Sequence, residues 1–317
     1  MEGAEPLRRI NNRGSLSPHL SIRFDSHLFS IDTSRAPKGC LQPDAYLITH
    51  AHSDHYGKSA MLSFSSIAST ETARALEIRY NREYRGRTFE VGESIQVGEV
   101  EVKTFKTGHT IGSTAFYWET GVGTRILITG DVKDYSELPK CDFLVMEANY
   151  GDPWDPSCIF DDDLASFCEA FESGASFGAY AFGKAQRAVA LIRAMGYQGE
   201  IGMDSQSLAL TRELMRESEP LTEISGTNPN VVSPWNLGRV PGLNKFILTG
   251  RNDMTYPAIR LSDHLDFRGL MHMIEHISPK EVLMYHPEGN RANLLAHHLK
   301  QCGMEASSLG DLEDFIL

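Results

Sequence analysis

Long apolar segments are absent from this sequence. None of its 317 residues lies in an apolar run near the roughly 20 residues that a membrane-spanning helix needs. The amino-terminal stretch MEGAEPLRRINNRG has no apolar core of the kind that a signal peptide carries. The sequence therefore favours a cytoplasmic protein that makes no contact with a membrane.

Paired cysteines and an excess of basic residues are also missing. The five cysteines are odd in number and include no CxxC pair, which argues against a disulfide framework and against a cysteine-based zinc site. Lys and Arg number 30 against 42 Asp and Glu, and the formal net charge is -12. Proteins that bind nucleic acid usually show a basic face. The total leaves such a ligand open, because bound cations or a local basic groove can compensate for it.

The remaining composition is that of a globular protein, with 41% hydrophobic and 23% charged residues. Short apolar or alternating runs between amphipathic stretches predict layered helices and sheet. The predicted strands are AYLITH, ESIQVG, VEVKTF, TAFYWE, RILITGD, DFLVMEA, KFILTG and EVLMYH, and the predicted helices are 70–79, 161–171, 184–195, 207–217, 266–276 and 290–301. We expect the first sixteen residues, which are largely polar, to be loosely ordered.

Several predicted strands are followed closely by a side chain that can bind metal. These side chains are His50, His109, Asp131, Glu147 and His286. Loops at strand ends are where open sheets place their chemistry. We therefore expect the five side chains to share one site.

The segment HAHSDH is the densest group of such ligands. His50 and His52 are two positions apart, so their side chains leave an extended segment on the same side. Asp54 and His55 follow as the chain turns. Two neighbouring pairs of ligands predict two neighbouring cations. Imidazole and carboxylate suit Zn, Mn or Fe, and the lack of thiolate argues against a closed structural zinc site.

The segment LITHAHSDHYG resembles the HxHxDH signature of the metallo-β-lactamase superfamily. Between about Phe29 and Gly151 the other motifs follow in the family's order: Asp32 in FSIDTS resembles the buried aspartate that orients the metal-binding loop, GHTIGS carries a third histidine, and LITGD carries a bridging aspartate. The resemblance implies two divalent metal ions, Zn first, with Mn or Fe as alternatives. The implied ligands are His50, His52 and His109 for one ion, Asp54 and His55 for the other, and Asp131 as the bridge.

Later motifs resemble those of the β-CASP nucleases within that superfamily. LVMEANYGDP is similar to their acidic motif, AYAFGKAQRAVALIRAMG to a helix start in their inserted cap, and RLSDHLDFRGLMHMIEHISPKEVLMYHPEG to their closing portion, which ends in the last metal-ligand histidine, His286. The implied fold is α/β: a metallo-β-lactamase αββα sandwich formed by residues 1–152 and 245–317, with a small β-CASP-like cap at 153–244. The substrate is expected in the cleft between them.

The function that this resemblance implies is metal-dependent hydrolysis of a nucleic-acid phosphodiester. The implied catalytic residues are Asp54, Asp131, Glu147 and His264, with His264 protonating the leaving oxygen and Glu147 holding its ring. The residues expected to position phosphate are Lys184, Arg187, Arg251 and Ser262. Two simpler interpretations stay open: Ser-Asp-His at 262–264 also suits a helix N-cap, and Lys184 and Arg187 also suit ordinary helix cations.

The expected substrate is RNA, with single-stranded DNA as the alternative. A histidine at the position of His286 is typical of RNA-directed β-CASP members, yet compact DNA ligase-associated exonucleases carry it too. In size the chain is similar to those exonucleases and to compact mRNA 3′-end processing factor-like proteins. A hydrolase of small esters, thioesters or lactones is a further alternative within the superfamily. A protein partner from DNA repair or RNA processing is also expected, and the sequence does not predict an oligomeric state.

Overall fold

The computed structural model describes residues 3–10, 16–33, 42–53, 55, 59–224, 226, 229–250, 255–285 and 290–312. The chain divides into two compact units. Met1–Ile159 and His264–Leu317 form the first, called here the sandwich unit, and Phe160–Asp263 form the second unit. Strands after residue 244 belong to the sheet of the second unit, and the predicted insertion at 153–244 stays a prediction. Its assignment as a β-CASP-like cap stays a prediction.

Strands dominate the first half of the described chain. The elements up to residue 159 are β1 (Ala4–Ile10), β2 (Leu16–Phe24), β3 (His27–Ile31), β4 (Ala45–Leu47), β5 (Ser66–Ser69), α1 (Thr70–Tyr80), β6 (Arg87–Phe89), β7 (Ser94–Val97), β8 (Val100–Lys106), β9 (Thr114–Glu119), β10 (Arg125–Ile128) and β11 (Phe143–Met146).

Helices and strands alternate through much of the second unit. Its elements are α2 (Leu164–Glu172), β12 (Ser176–Gly178), α3 (Lys184–Ala194), β13 (Ile201–Met203), α4 (Ser205–Leu214), β14 (Leu221–Glu223), β15 (Asn230–Val232), β16 (Lys245–Leu248) and β17 (Ala258–Ile259). The sandwich unit resumes with α5 (Phe267–Ile277), β18 (Glu281–Met284), α6 (Arg291–Gln301) and β19 (Glu305–Ser308).

Two sheets face each other in the sandwich unit. One has the order β1-β2-β3-β4-β5-β6 and the other β19-β18-β11-β10-β9-β8-β7. Their inner faces share a buried core whose largest side chains include Phe24, Phe29, Phe116, Trp118 and Phe143. Helix α1 packs against β5 and β6, while α5 and α6 supply Leu270, Ile274, Leu295 and Leu299 to a second core on the other sheet. This arrangement confirms the predicted αββα sandwich.

Parallel pairing brings several strand ends to the same edges of these sheets. β3 pairs with β4 and β4 with β5, all parallel, in the first sheet. In the second sheet β10, β11 and β18 are parallel neighbours. Since parallel strands present their carboxyl ends together, the loops after β10 and β11 emerge side by side.

The second unit is built on a six-stranded parallel sheet with the order β14-β13-β15-β12-β16-β17. Helices α2, α3 and α4 contribute Phe167, Ile192 and Leu208 to its buried core. Ligands of open parallel sheets bind beyond the carboxyl ends of the strands. A ligand of this sheet is therefore expected near the loops after β12 and β15.

The expectation of loose order at the amino terminus is wrong for residues 4–10. They form β1, which pairs antiparallel with β2 from Ala4 opposite Phe24 to Arg8 opposite Leu20. Ala4 and Leu7 are buried, and Ala4 joins the core between the sheets. The burial of so few side chains left too weak a pattern to predict a strand.

Among the described residues, no helix has both the length and the apolar character needed to cross a membrane.

Candidate metal centre

The ligand-bearing loop after β4 is held by backbone hydrogen bonds on two sides. The Ile48 N–H donates to the Ile67 carbonyl at 3.0 Å, and the Thr114 N–H donates to the Thr49 carbonyl at 2.9 Å. These bonds attach the loop to strands of both sheets. His50 is therefore delivered to the sandwich edge on backbone that is already fixed.

Four side chains from three loops meet at this edge: His50, His52, His109 and Asp131. Their candidate ligand atoms all lie within 4.8 Å of one another. Nε2 of His109 is 3.0 Å from Nδ1 of His52 and 3.4 Å from Oδ2 of Asp131, and Nε2 of His50 is 3.6 Å from the same oxygen. Such a set of imidazoles and one carboxylate could hold a divalent transition metal.

The carboxylate of Asp131 faces two groups of histidines with its two oxygens. Oδ2 faces His50 and His109, whereas Oδ1 lies 3.3 Å from Nε2 of His55. A carboxylate with one oxygen toward each group is suited to bridging two cations. The bridging role that the family resemblance implied for Asp131 stays a prediction.

Asp32 orients the histidines from beneath. It is buried, has a φ of 47°, and accepts the Thr49 N–H at 2.8 Å and the Thr49 hydroxyl at 2.6 Å. Nδ1 of His50 lies 3.0 Å from that hydroxyl oxygen, and Nδ1 of His55 lies 3.4 Å from Oδ2 of Asp32. Because Nδ1 of both rings donates toward this chain of oxygens, Nε2 of both rings is left with a lone pair for metal.

Two further properties of His50 fit a metal ligand. Its Nε2 is buried and has no hydrogen-bond partner among the described residues. Burial, followed by the charges of His55, His109, His52 and His264, lowers the pKa of His50 well below 6.5. The ring is therefore neutral near pH 7, which is the form that binds metal.

A second group beside Asp131 contains His264 and Glu147. Nδ1 of His264 lies 2.9 Å from Oε2 of Glu147 and 3.7 Å from Oδ2 of Asp131. Burial raises the pKa of Glu147, but the charge of His264 and hydrogen bonds from His264, the Val132 N–H and Asn149 lower it by more, so that the pKa lies below its ordinary value. An ionised carboxylate at this distance stabilises a protonated imidazole.

Asn149 is a residue of this group that the sequence did not indicate. Its Nδ2 lies 2.8 Å from Oε2 of Glu147, 3.1 Å from Nδ1 of His264 and 3.5 Å from Oδ1 of Asp131. It stands two positions after Glu147, so the alternation of an extended segment could have suggested it. Thr49 was also missed, because a threonine beside a histidine carries no signal in sequence.

Three of the predicted site residues, Asp54, His286 and Arg251, lie outside the described residues. Within the second unit, Nζ of Lys184 is 3.1 Å from Oδ2 of Asp263, and both side chains are buried. The Arg187 guanidinium lies 2.6 Å from Oδ2 of Asp162 and donates to the Ser262 carbonyl. Since Arg187 also lies 3.9 Å from Oδ1 of Asp263, the structure brings Lys184, Arg187 and the Ser262 backbone into one network of ion pairs and hydrogen bonds.

Comparison with known proteins agrees with this geometry. The profile of the Metallo-beta-lactamase superfamily matches residues 38–157. The chain is 25% identical over 304 residues to a protein named Probable DNA ligase from Opitutus terrae, an alignment that covers 83% of this chain and 28% of that protein. It is 27% identical over 154 residues to an RNase J-like protein from Methanocaldococcus jannaschii, covering 40% of this chain and 36% of that protein. The chain thus spans about a third of the length of these two relatives.

A solved structure supports the fold over nearly the whole chain. A protein of unknown function from Enterococcus faecalis V583 superposes with a TM-score of 0.64 at 13% identity, covering 96% of this chain and 97% of that one. At this identity the likeness concerns the fold alone. The profile match shows a metallo-β-lactamase superfamily domain at residues 38–157, and the four clustered side chains His50, His52, His109 and Asp131 all lie within it.

Proposed function

We propose that this protein is a metal-dependent phosphodiesterase that cleaves nucleic acid. The observation that carries the proposal is the His264–Glu147 pair, which lies beside Asp131 and is distinct from the histidines nearest that carboxylate. A metal-binding hydrolase of small esters has no need for a separate proton donor of this kind when its leaving group is a good one. When a nucleic-acid phosphodiester is hydrolysed, the sugar oxygen would leave phosphorus as an alkoxide, which requires a proton.

The proposed ligands are His50, His52, Asp54, His55, His109, Asp131 and His286. When bound, two divalent cations would lower the pKa of a water molecule and offset the negative charge that develops on the phosphate. The chain's own part is to hold the ligands in one tautomer. Asp32 and Thr49 do this for His50, and Asp32 does it directly for His55.

His264 is the proposed general acid. As the oxygen of water bonds to phosphorus, the bond from phosphorus to the leaving 3′ oxygen breaks, and Nε2 of His264 supplies the proton that this oxygen takes up. Glu147 accepts a hydrogen bond from Nδ1 and favours the charged ring, while Asn149 donates to Glu147 and limits its rotation. The proposed proton donor is thereby positioned before substrate arrives.

The assignment of Lys184, Arg187, Arg251 and Ser262 to phosphate positioning stays a prediction. Lys184 is paired with Asp263 and Arg187 with Asp162, so a phosphate would have to compete with these carboxylates. A role in holding the segment before His264 accounts for the same contacts.

Both RNA and single-stranded DNA are candidate polymers. The histidine at 286 favours RNA by family resemblance, and the RNase J-like relative supports it. The relative that aligns over 83% of this chain is named a probable DNA ligase, which supports a DNA substrate. The proposal is therefore hydrolysis of nucleic acid, with RNA and single-stranded DNA both as candidate substrates. The experiment compares these two polymers. A cytoplasmic location and a protein partner from DNA repair or RNA processing also stay predictions.

The test is cleavage of end-labelled single-stranded RNA and DNA of the same sequence with added Zn or Mn. The wild-type chain is compared with His264→Ala and with His297→Ala, a matched control whose histidine lies exposed on α6. We expect a ladder from the wild type and the control, and metal without turnover in His264→Ala. Cleavage of neither polymer by a metal-loaded wild type would overturn the proposal, and small esters and thioesters would become the next substrates.

A further inference from the structure

Two aromatic side chains in the second unit are exposed beside each other. Tyr180 is 46% exposed and Trp235 is 67% exposed, and their ring centroids are 6.3 Å apart with an interplanar angle of 53°. Large aromatic rings are mostly buried in folded proteins, and neighbouring exposed rings are typical of a surface that binds a ligand or a partner molecule. We refer to Tyr180 and Trp235 as the aromatic pair.

The pair is held at the carboxyl edge of the parallel sheet. Tyr180 follows β12 by two residues, and Trp235 lies in a 3-10 helix, Pro234–Arg239, that begins shortly after the neighbouring strand β15. The Ala179 N–H donates to the Val232 carbonyl at 2.7 Å, which ties the two exits together. Because both loops leave adjacent strands at one edge, the rings meet although 55 positions separate them in sequence.

The exposure of Trp235 is built into the fold. Leu237, two positions later, is fully buried with Val232, Val240 and Ile247 and anchors the 3-10 helix. A Cβ on Gly178 would lie 3.1 Å from Leu237 and 3.3 Å from Pro234, so the absence of a side chain there allows the helix to pack closely on β12. With the helix anchored by Leu237, the indole remains outside.

The charge around the pair suits a polyanion. Although the whole chain carries -12, residues 173–199 and 224–252 contain no Asp or Glu. These two stretches include both aromatic residues and the exposed Arg239. Two acidic residues at this edge lie outside the two stretches: Asp204 after β13 is buried and accepts the N–H groups of Ser207 and Ser233, and the exposed Glu223 ends β14, two strands away from β15. A chain of phosphates can therefore approach the pair with little electrostatic repulsion.

The outer strand of the sheet ends at the same edge as the strands that carry the aromatic pair. β17 is the outer strand of the sheet beside β16, and its carboxyl end continues through Arg260–Asp263 to His264. Three strand spacings separate β15 from β17, which is about 14 Å at ~4.8 Å per strand. A short stretch of extended polymer spans that distance.

We propose that the aromatic pair is a stacking platform for the bases of single-stranded nucleic acid. This inference rests on the proposed function, because it assigns to the polymer substrate a subsite away from the bond that is cut. Stacking tolerates any base, since every base has an aromatic face, and it needs an unpaired strand whose bases are free. The platform therefore selects single strands over duplexes.

The test separates base recognition from backbone attraction and from catalysis. Binding is measured by fluorescence anisotropy with a chelator present, using a labelled oligothymidylate and an oligomer of the same length and backbone that carries abasic sugars. The proteins are the wild type, Trp235→Ala, Tyr180→Ala, Trp235→Phe and Leu243→Ala. Leu243 is a control in the same unit, since it is fully exposed but precedes β16 and so lies at the opposite edge of the sheet.

We expect Trp235→Ala and Tyr180→Ala each to weaken oligothymidylate binding about 5- to 100-fold, as loss of a stacked base does. Binding of the abasic oligomer and hydrolysis of bis(p-nitrophenyl) phosphate with metal should not change, and Trp235→Phe and Leu243→Ala should resemble the wild type. Unchanged oligothymidylate binding in both alanine variants, equal loss of both oligomers, or a wild type that binds neither would overturn the platform. A wild type that binds oligothymidylate through the pair but cleaves no phosphodiester would contradict the proposed function alone.

Discussion

At the scale of single residues, the candidate centre depends on partners that lie behind the ligands. Thr49 is the clearest case, since one hydroxyl donates to Asp32 and accepts from His50. Such partners orient an imidazole and raise its affinity for metal. The ligands determine which metals can bind, and the partners determine how tightly.

Thr49→Val keeps the shape of the side chain but removes this link. We expect metal affinity to fall about 10- to 100-fold, measured by competition with a chromogenic chelator. The matched control is Thr211→Val, which removes a buried hydroxyl from α4 in the second unit and should leave metal affinity unchanged. Equal affinities in the wild type and Thr49→Val would show that His50 needs no such support.

Asn149→Ala tests the second group. Loss of an amide that bonds to the ionised Glu147 should lower kcat about 10- to 100-fold, because the ring of His264 is then less well held. Metal content and KM should stay the same, measured on an end-labelled single-stranded oligonucleotide, whose leaving alkoxide needs the proton of His264. Asn293→Ala, on the exposed face of α6, is the control. If the alanine variant lost metal instead, the main role of Asn149 would be to orient the carboxylate of Asp131, which its Nδ2 approaches to 3.5 Å.

At the scale of elements, most strands and helices were predicted, and their ends were decided by caps. Helix α4 begins at Ser205 rather than 207, because Asp204 accepts the Ser207 N–H and starts the helix earlier. Helix α2 begins at Leu164 because Asp163 caps it through Ser166. Short strands such as β12 and β13 were missed, since three residues show too little periodicity.

The turn after β10 requires glycine at 130. Gly130 has a φ of +59°, and a Cβ there would lie 2.5 Å from Oγ1 of Thr49. Gly130→Ala should cost about 1–2 kcal/mol for the left-handed backbone and a further 1–3 kcal/mol for the overlap, and it should lower metal affinity by displacing Thr49.

The control for this substitution is Gly98→Ala. Gly98 has a nearly identical φ of +60°, but a Cβ there meets nothing closer than 3.7 Å. It should show the backbone cost alone in denaturant unfolding and keep its metal. Equal losses of stability in both variants would mean that the overlap with Thr49 relaxes without consequence.

The Lys184–Asp263 pair distinguishes a structural cation from a phosphate contact. Both side chains are buried at 3.1 Å separation, and removal of one member of a buried pair costs about 3–5 kcal/mol. We expect Lys184→Met to lower the free energy of unfolding by that amount, and the double variant with Asp263→Leu to recover much of it. A stable Lys184→Met with only a raised KM for polymer would favour the phosphate contact instead.

At the scale of the whole molecule, the gathered histidines couple stability to pH. The pKa of His50 is lowered well below 6.5 by burial and then by its neighbouring imidazoles. The unfolded chain takes up a proton near pH 6.5 that the folded chain does not. The folded state therefore keeps this stability above pH 6.5 and loses it as the pH falls toward the folded pKa.

We expect the chelator-treated protein to lose roughly 1.4 kcal/mol of unfolding free energy per pH unit through this one group below pH 6.5. Denaturant unfolding at several pH values measures the slope. A His50→Asn variant should lose that part of the slope, and identical slopes in the two proteins would contradict the assignment.

Local patterns in the chain were sufficient to predict the metallo-β-lactamase domain, the histidines and aspartate that cluster in it, and the αββα sandwich. The reason is physical. The segment HAHSDH places four potential metal ligands within six positions, and alternating apolar runs determine which faces of the strands are buried. Side chains that follow parallel strands are expected at the same edge of a sheet, so their meeting there could also be predicted. These features depend on neighbours in sequence, which a sequence displays directly.

Tertiary structure alone decided the contacts between residues that are distant in the chain. Asn149 meets His264 across 115 positions, Lys184 meets Asp263 across 79, and Tyr180 meets Trp235 only because β12 and β15 are neighbours in the sheet. The two oxygens of Asp131 are likewise assigned to different histidines by packing. No local pattern encodes such distances, because they arise when separate strands come to share one edge.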